Sequence, residues 1–282
     1  MKYLILAACA VTILMTACGS KDVTKADIRT LSKTEKVIEL LNSIESGDSE
    51  PASYINPDKY IQHNLMAADG LAGFADLMAH LPEGGAKVEV VRAFEDGDYV
   101  FTHTEYDFFG PKIGFDIFRF EDGLIVEHWD NLQEIATQTA SGRSQIDGAD
   151  EAVELEKTNE NKALVKGFVE DILMGGNPSK ITDYVSTQEY LQHNPAVPDG
   201  LDALGIALQE MADAGMPMIY TKNHMILGQG NFVLTVSEGS FLNKHVSFYD
   251  LFRIDDGKIV EHWDTIEEIL PEEEWQNDNG KF

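Results

Sequence analysis

The 282-residue chain has only two cysteines, Cys9 and Cys18, and both fall in its first eighteen residues. A disulfide framework is therefore not expected, and any core must hold by packing alone. Basic residues are also scarce: 21 Lys and Arg stand against 49 Asp and Glu, a formal charge of −28. A surface of that sign repels phosphate backbones, which argues against a nucleic-acid partner. The longest apolar run, Tyr3 to Met15, falls short of the roughly 20 residues that a membrane-spanning helix needs. No Gly-x-Ser-x-Gly nucleophile motif and no His-Glu-x-x-His spacing occurs. Neither a serine nucleophile nor a metal centre is expected from such a text, and no cofactor is implied.

What the chain does have begins with its first residues. Lys2, the apolar run and the small residues Thr16-Ala17 ahead of Cys18 have the layout of a secretory signal. The text Leu14-Met15-Thr16-Ala17-Cys18-Gly19-Ser20 resembles a bacterial lipobox, which implies cleavage before Cys18 and lipidation of its thiol. Residues 1–17 are then a signal peptide and 18–33 a lipid-anchored linker. The expected location is an exported, membrane-anchored lipoprotein of the cell envelope. Gly19 in place of an acidic residue implies the outer membrane, facing the periplasm, in a two-membrane cell.

The rest of the chain says nearly the same thing twice. Tyr60-Ile61-Gln62-His63-Asn64 with Asp69-Gly70-Leu71 returns as Tyr190-Leu191-Gln192-His193-Asn194 with Asp199-Gly200-Leu201. The text from Asp116 through Glu127-His128-Trp129-Asp130 returns from Asp250 through Glu261-His262-Trp263-Asp264. An offset of about 130 residues is far longer than the roughly 20 to 50 of a solenoid repeat. It indicates a duplicated domain, each copy large enough for its own core. The expected boundaries are 34–139 and 151–275, with a polar linker at 140–150 and a tail at 276–282.

Each copy reads as helices followed by strands. Val37, Leu40, Leu41 and Ile44, and again Val165, Phe168, Val169 and Ile172, fall at helical spacing. Second helices are expected near Leu71 to Leu81 and Leu201 to Ala214. Segments rich in β-branched and aromatic residues follow, broken by Gly-Asp and Gly-Pro turns. The fold class is α+β: in each copy a curved antiparallel sheet wraps around N-terminal helices.

The last hairpin of each copy allows a sharper expectation. Glu121-Asp122-Gly123 and Asp255-Asp256-Gly257 suit a three-residue loop. That register sets Asp116 opposite His128, and Asp250 opposite His262, within reach of a carboxylate–imidazole contact. Phe118, Phe120, Val126 and Asp130 then share their face, while Arg119, Glu127 and Trp129 share the other. A two-residue Asp-Gly turn would instead pair Asp116 with Trp129. The first register is favoured because it groups the apolar residues on the pocket side.

These motifs, in the same order twice, resemble the SnoaL-like branch of the nuclear transport factor 2-like superfamily. The resemblance implies two tandem cone-shaped domains, each a bent sheet closed by helices around an apolar pocket. It also implies a small, largely apolar molecule as partner, and an intramolecular pseudo-dimer through the sheet faces bearing Arg119, Trp129, Arg253 and Trp263. The superfamily includes cyclases, isomerases, hydrolases and binding-only members, so catalysis and plain ligand binding both stay open. By resemblance, Asp116 and Asp250 are the candidate bases for enolisation, aldol-type condensation, isomerisation or hydration. A carboxylate walled by Phe and Val is desolvated and so becomes a better base near neutrality. His128 and His262 would orient them, and His63 and His193 would serve as donors or second acids. Tyr60, His103, Phe118, Tyr190 and Phe252 are the expected ligand contacts. His103 has Val236 as its counterpart, which points to copy one as the more polar and more competent pocket.

Overall fold

The computed structural model describes residues 31–82 and 85–282, and the expected signal segment and Cys18 lie outside the described residues. No helix among the described residues is long and apolar enough to cross a membrane.

The first helix, α1 (Lys33–Ser46), starts where a capping box permits it. The Ser32 hydroxyl accepts from the Glu35 amide at 3.1 Å and the Glu35 carboxylate accepts from the Ser32 amide at 2.7 Å. Two otherwise orphaned donors are satisfied, an arrangement worth about 1 kcal/mol. Gly47 ends the helix in the left-handed region, and Val37, Leu40, Leu41 and Ile44 are buried. After β1 (Ile61–Gln62) and α2 (Gly70–Ala79) come four long strands: β2 (Lys87–Asp96), β3 (Tyr99–Asp107), β4 (Pro111–Glu121) and β5 (Leu124–Glu134). They form a five-stranded sheet in the order β1-β5-β4-β3-β2, with β1 parallel to β5.

The same order follows in the second half. It contains α3 (Thr158–Phe168) with a π-turn at Val169–Leu173, the short α4 (Ile181–Tyr184), β6 (Leu191–Gln192) and α5 (Leu201–Asp213). Strands β7 (Ile219–Gln229), β8 (Phe232–Phe241), β9 (Lys244–Asp255) and β10 (Lys258–Glu268) complete a second sheet, ordered β6-β10-β9-β8-β7. The protein is thus α+β with two five-stranded sheets. Val165 and Phe168 pack inside the second sheet against Val233, Phe252 and Ile259.

One face of each sheet is turned toward the other sheet. Phe94, Phe115 and Trp129 share a single buried core with Phe232, Tyr249 and Trp263. Each fully buried side chain of this size contributes roughly 1.5–3 kcal/mol, so this contact holds the halves together. Asn131 adds a polar pin, donating to the Thr265 carbonyl at 2.9 Å. The stretch 140–150, expected as a linker, is packed: the Trp263 indole donates to the Asp147 carbonyl at 2.8 Å.

The three-residue loop expected at both last hairpins is overturned. Glu121 pairs with Leu124 and Asp255 with Lys258, leaving two-residue turns. Asp122 and Gly123 have φ of 49° and 80°, and Asp256 and Gly257 have 47° and 70°, the mirror-image turn that matches strand twist. A bulge then leaves Val126, and likewise Val260, unpaired. It shifts the register once more, so Asp116 lies opposite Asp130 and Phe118 opposite His128. Asp250 likewise faces Asp264. Arg119 sits directly opposite Glu127, with Nε 2.6 Å from the carboxylate. Turn and bulge together restore the face parity that either alone would break.

Candidate active site

On the inner face of the first sheet, β4 and β5 bring Asp116, His128 and Asp130 together, all buried. Their donor atoms lie within 4.8 Å of one another, as do those of Asp250, His262 and Asp264 in the second sheet. Such a set could hold a metal ion. It is invisible to a search for ligand spacing along the chain because it forms across strands.

The proton positions follow from Gln62. Its Oε1 accepts from the Asn64 backbone amide at 2.8 Å, which fixes the orientation of the side-chain amide. The same oxygen lies 3.0 Å from His128 Nδ1, so Nδ1 carries a hydrogen and donates. His128 Nε2 then faces Asp116 Oδ1 at 3.2 Å. Gln192 repeats the arrangement: it accepts from the Asn194 amide at 2.9 Å and lies 3.0 Å from His262 Nδ1, with Nε2 3.1 Å from Asp250 Oδ1. Asn64 and Asn194 also donate to Asp130 and Asp264 at 2.5 and 2.6 Å.

A phenol reaches each aspartate, from different strands. Tyr106 of β3 donates to Asp116 Oδ2 at 2.6 Å, whereas Tyr220 of β7 donates to Asp250 Oδ1 at 3.1 Å. Tyr106 pairs across strands with Val88, and Tyr220 with Gly239. A Cβ at Gly239 would stand 1.8 Å from the Ile219 carbonyl oxygen, so the second sheet has no room for a side chain there. The phenol has moved to the neighbouring strand.

The second half encloses a cavity of about 220 Å³. Phe168, Ile172, Phe252 and Met218 supply apolar wall, and α5 covers it with Leu204 and Leu208, one turn apart. Tyr190, Asp250, His262 and Asp264 line its polar end. Among the described residues, Asp250 Oδ2 and Asp264 Oδ1 have no hydrogen-bond partner although both side chains are buried. Burial pushes the Asp264 carboxyl up to about 6, Asp250 adds to the rise, and the His262 ring opposes it. Burial would lower His262, but the hydrogen bond to Asp250 and the charges of Asp264 and Asp250 raise it above the ordinary imidazole value. Tyr190 is driven far above the phenol range, chiefly by burial, and keeps its proton.

The expected site residues divide cleanly. Asp116 with His128, and Asp250 with His262, are brought together, with Phe118 and Phe252 stacked on the imidazoles at 4.5 and 4.9 Å. Tyr60 and Tyr190 are buried on the same side, close enough for the paired aspartates to raise their phenols. His63 and His193 are not there. Strand alternation turns Gln62 and Gln192 inward and the next residue outward. His63 stacks on Trp129 at 4.7 Å with Nε2 3.0 Å from Glu127, and His193 does the same with Trp263 and Glu261. His103 is also misplaced as a ligand contact. It pairs with Phe115, whose face meets the other half, while Thr102 and Tyr106 point to Asp116. Its Nδ1 accepts from Arg92 at 2.8 Å, and burial with the Arg92 charge holds its pKa far below the ordinary value. The extra polarity expected for copy one therefore lies between the halves, not in a pocket.

Sequence reasoning gave no role to Gln62, Asn64, Asp130 and their counterparts, although all recur in both copies. Tyr106 and Tyr220 do not recur at matching positions, so only the fold reveals them.

Residues 37–128 match the family model described as a SnoaL-like domain. Among solved structures, TsrD from Streptomyces laurentii is 22% identical, covering 36% of this chain and 91% of that one, with a TM-score of 0.31. An NTF2-like protein from Cytophaga hutchinsonii is 13% identical over 36% of this chain and 91% of its own, with a TM-score of 0.32. An LEH-like epoxide hydrolase of M. tuberculosis is 20% identical over 36% and 81%, with a TM-score of 0.31. No curated protein matches the chain. Residues 37–128 thus resemble a SnoaL-like domain.

Proposed function

We propose that the chain is a tandem of SnoaL-like units, joined as an intramolecular pseudo-dimer, whose second half binds a small, largely apolar molecule and performs acid–base chemistry on it. One observation carries the reading: the buried Asp250–His262 pair lines an apolar cavity and leaves one carboxylate oxygen without a hydrogen-bond partner. Asp250 Oδ2 is the base that removes a proton next to a carbonyl. His262, its Nδ1 hydrogen committed to Gln192, holds Oδ1 through Nε2 and orients the carboxylate while Oδ2 takes the proton. Charge that develops on the carbonyl oxygen is met by the Tyr190 hydroxyl. Enolisation is the common step, and it precedes isomerisation or aldol-type condensation.

The direct test is exchange of α-protons of small cyclic ketones in D₂O, followed by NMR. The wild type accelerates exchange, and Asp250→Asn, which keeps size and removes the base, lowers the rate on the order of a hundredfold. No acceleration by the wild type, or full rate in Asp250→Asn, would sink the catalytic reading. A binding or structural role suits the first half, where Thr102 and Tyr106 already fill Asp116 Oδ2.

The text around Cys18 supports attachment to the cell envelope by a lipid on that cysteine, with residues 1–17 removed. Replacing Cys18 by Ser is then expected to leave the precursor uncleaved and to abolish detergent partitioning. A mature N terminus at any other residue overturns it.

A further inference from the structure

We propose that the molecule held in the second-half cavity carries an ammonium group, seated on Asp264. The inference rests on the cavity being a ligand site and names the class of ligand. It comes from comparing which donors fill equivalent carboxylate oxygens in the two halves.

In the first half the chain supplies its own donors. Asp116 Oδ2 receives the hydroxyls of Thr102 at 3.3 Å and Tyr106 at 2.6 Å. Asp130 Oδ1 has the Lys281 ammonium at 3.6 Å, an ion-pair distance rather than a hydrogen bond. Lys281 arrives there because the segment 276–282 straps the first half. The Gln276 amide donates to Leu65, Asn279 donates to Asp69 at 3.0 Å, and the Gly280 carbonyl lies 2.8 Å from His63 Nδ1.

The stretch before the second half makes the equivalent strap. Arg143 contacts Asp199, the counterpart of Asp69, at 3.1 Å, and the Ser144 carbonyl lies 2.6 Å from His193 Nδ1. Ser144 thus stands where Gly280 does. The next residue is Gln145, where the first half has Lys281.

The second half therefore has the same carboxylates without the cation. Asp250 Oδ2 and Asp264 Oδ1 are both buried without partners among the described residues, and so is Thr235 Oγ1, the counterpart of Thr102. No Lys or Arg lines the cavity. A buried carboxylate oxygen costs free energy until a donor meets it, and a charged donor meets it best. The missing group opposite Asp264 is the one the first half supplies as an alkylammonium. The apolar walls of the cavity receive the carbon body. An ammonium on Asp264 leaves Asp250 Oδ2 free as the base, so the substrate class is a small apolar amine with an acidic C–H nearby.

Benzylamine and benzyl alcohol differ little in shape and separate the charge from the body. Titration calorimetry of the full chain at neutral pH is expected to show benzylamine binding tighter by on the order of tenfold or more. Asp264→Asn should bring the two ligands level. Gln145→Lys, which restores the first half's residue, should weaken benzylamine alone and serves if Asp264→Asn fails to fold. Equal binding of the two probes by the wild type, or a preference that survives both substitutions, overturns the ammonium and leaves the cavity reading standing. Binding of neither probe overturns both. If Zn²⁺ binds in an Asp264-dependent way and expels benzylamine, the missing cation is a metal and the amine is wrong.

Discussion

In the first half, hydroxyls of the same chain donate to Asp116, and a lysine stands at ion-pair distance from Asp130, whose Oδ1 has no hydrogen bond among the described residues. In the second half, the same carboxylates face a cavity with one oxygen each unmet. The difference extends behind the site. Lys281 pairs with Glu267 of β10 as well as Asp130, while the corresponding residues of the other half are the amides Gln145 and Gln133. Burial would drive the Lys281 ammonium down, but the carboxylates of Glu267 and Asp130 outweigh it and hold it above the ordinary lysine value. The first half thus meets its carboxylates with groups of its own chain, and the second half sets the same carboxylates along a cavity. A shared motif marks where chemistry can occur, and the donors around it decide whether it does.

The largest stability effect should come from breaking the internal pair. Lys281→Met leaves Asp130 and Glu267 without their cation, and removing one partner of a buried pair costs about 3 kcal/mol or more. Converting the pair to the second half's chemistry, Lys281→Gln with Glu267→Gln, should recover most of that loss. Urea unfolding of the three proteins checks both statements. A loss under about 1 kcal/mol for Lys281→Met would mean the lysine is a solvated contact, and the contrast between the halves would lose its electrostatic basis.

The fold and the core of the site are partly legible in the chain, while the contrast between the halves is not. The duplication, the helix-then-strand order and the Asp–His pairs could be read because repeated motifs and strand alternation are local signals. The register could not, because a two-residue turn and a bulge act in opposite senses on it, and Asp-Gly text suits either loop length. The chain carries no fixed reference face from which the directions of His63 and His103 can be read. The reference is Gln62, whose bond to His128 orients β1. The roles of segments 140–150 and 276–282 were out of reach altogether: their polar composition matches loose linkers, and only the tertiary path shows them to be straps.

A pH dependence should sharpen the comparison from the side of the second half. The folded Asp264 carboxyl titrates at about 6, above its ordinary 3.8. A raised value means that the folded state holds the proton more tightly. Its contribution to stability is therefore complete below about 3.8 and is lost as pH rises through about 6. Asp264→Asn has no such proton. The stability of the wild type relative to this variant should thus fall between pH 4 and 6, by at most about 1.4 kcal/mol per pH unit. A difference that is flat or rises over that range would show that Asp264 is already met by a positive partner in the folded state.

The smallest effect tests the closure of the first site against the openness of the second, one hydroxyl at a time. Thr102 and Thr235 both pair across strands with the site aspartate and both are buried. Thr102 Oγ1 donates to Asp116 Oδ2, while Thr235 Oγ1 has no partner among the described residues. Valine has nearly the same shape without the hydroxyl. Thr102→Val should cost about 1 kcal/mol, the net worth of a buried hydrogen bond plus the carboxylate left short of a donor. Thr235→Val removes an unmet polar atom and should be neutral or slightly stabilising. Thermal unfolding of the two variants side by side decides it. Equal losses would show that the second-half hydroxyl already serves Asp250, and that the unfilled oxygens there are fewer than the geometry indicates.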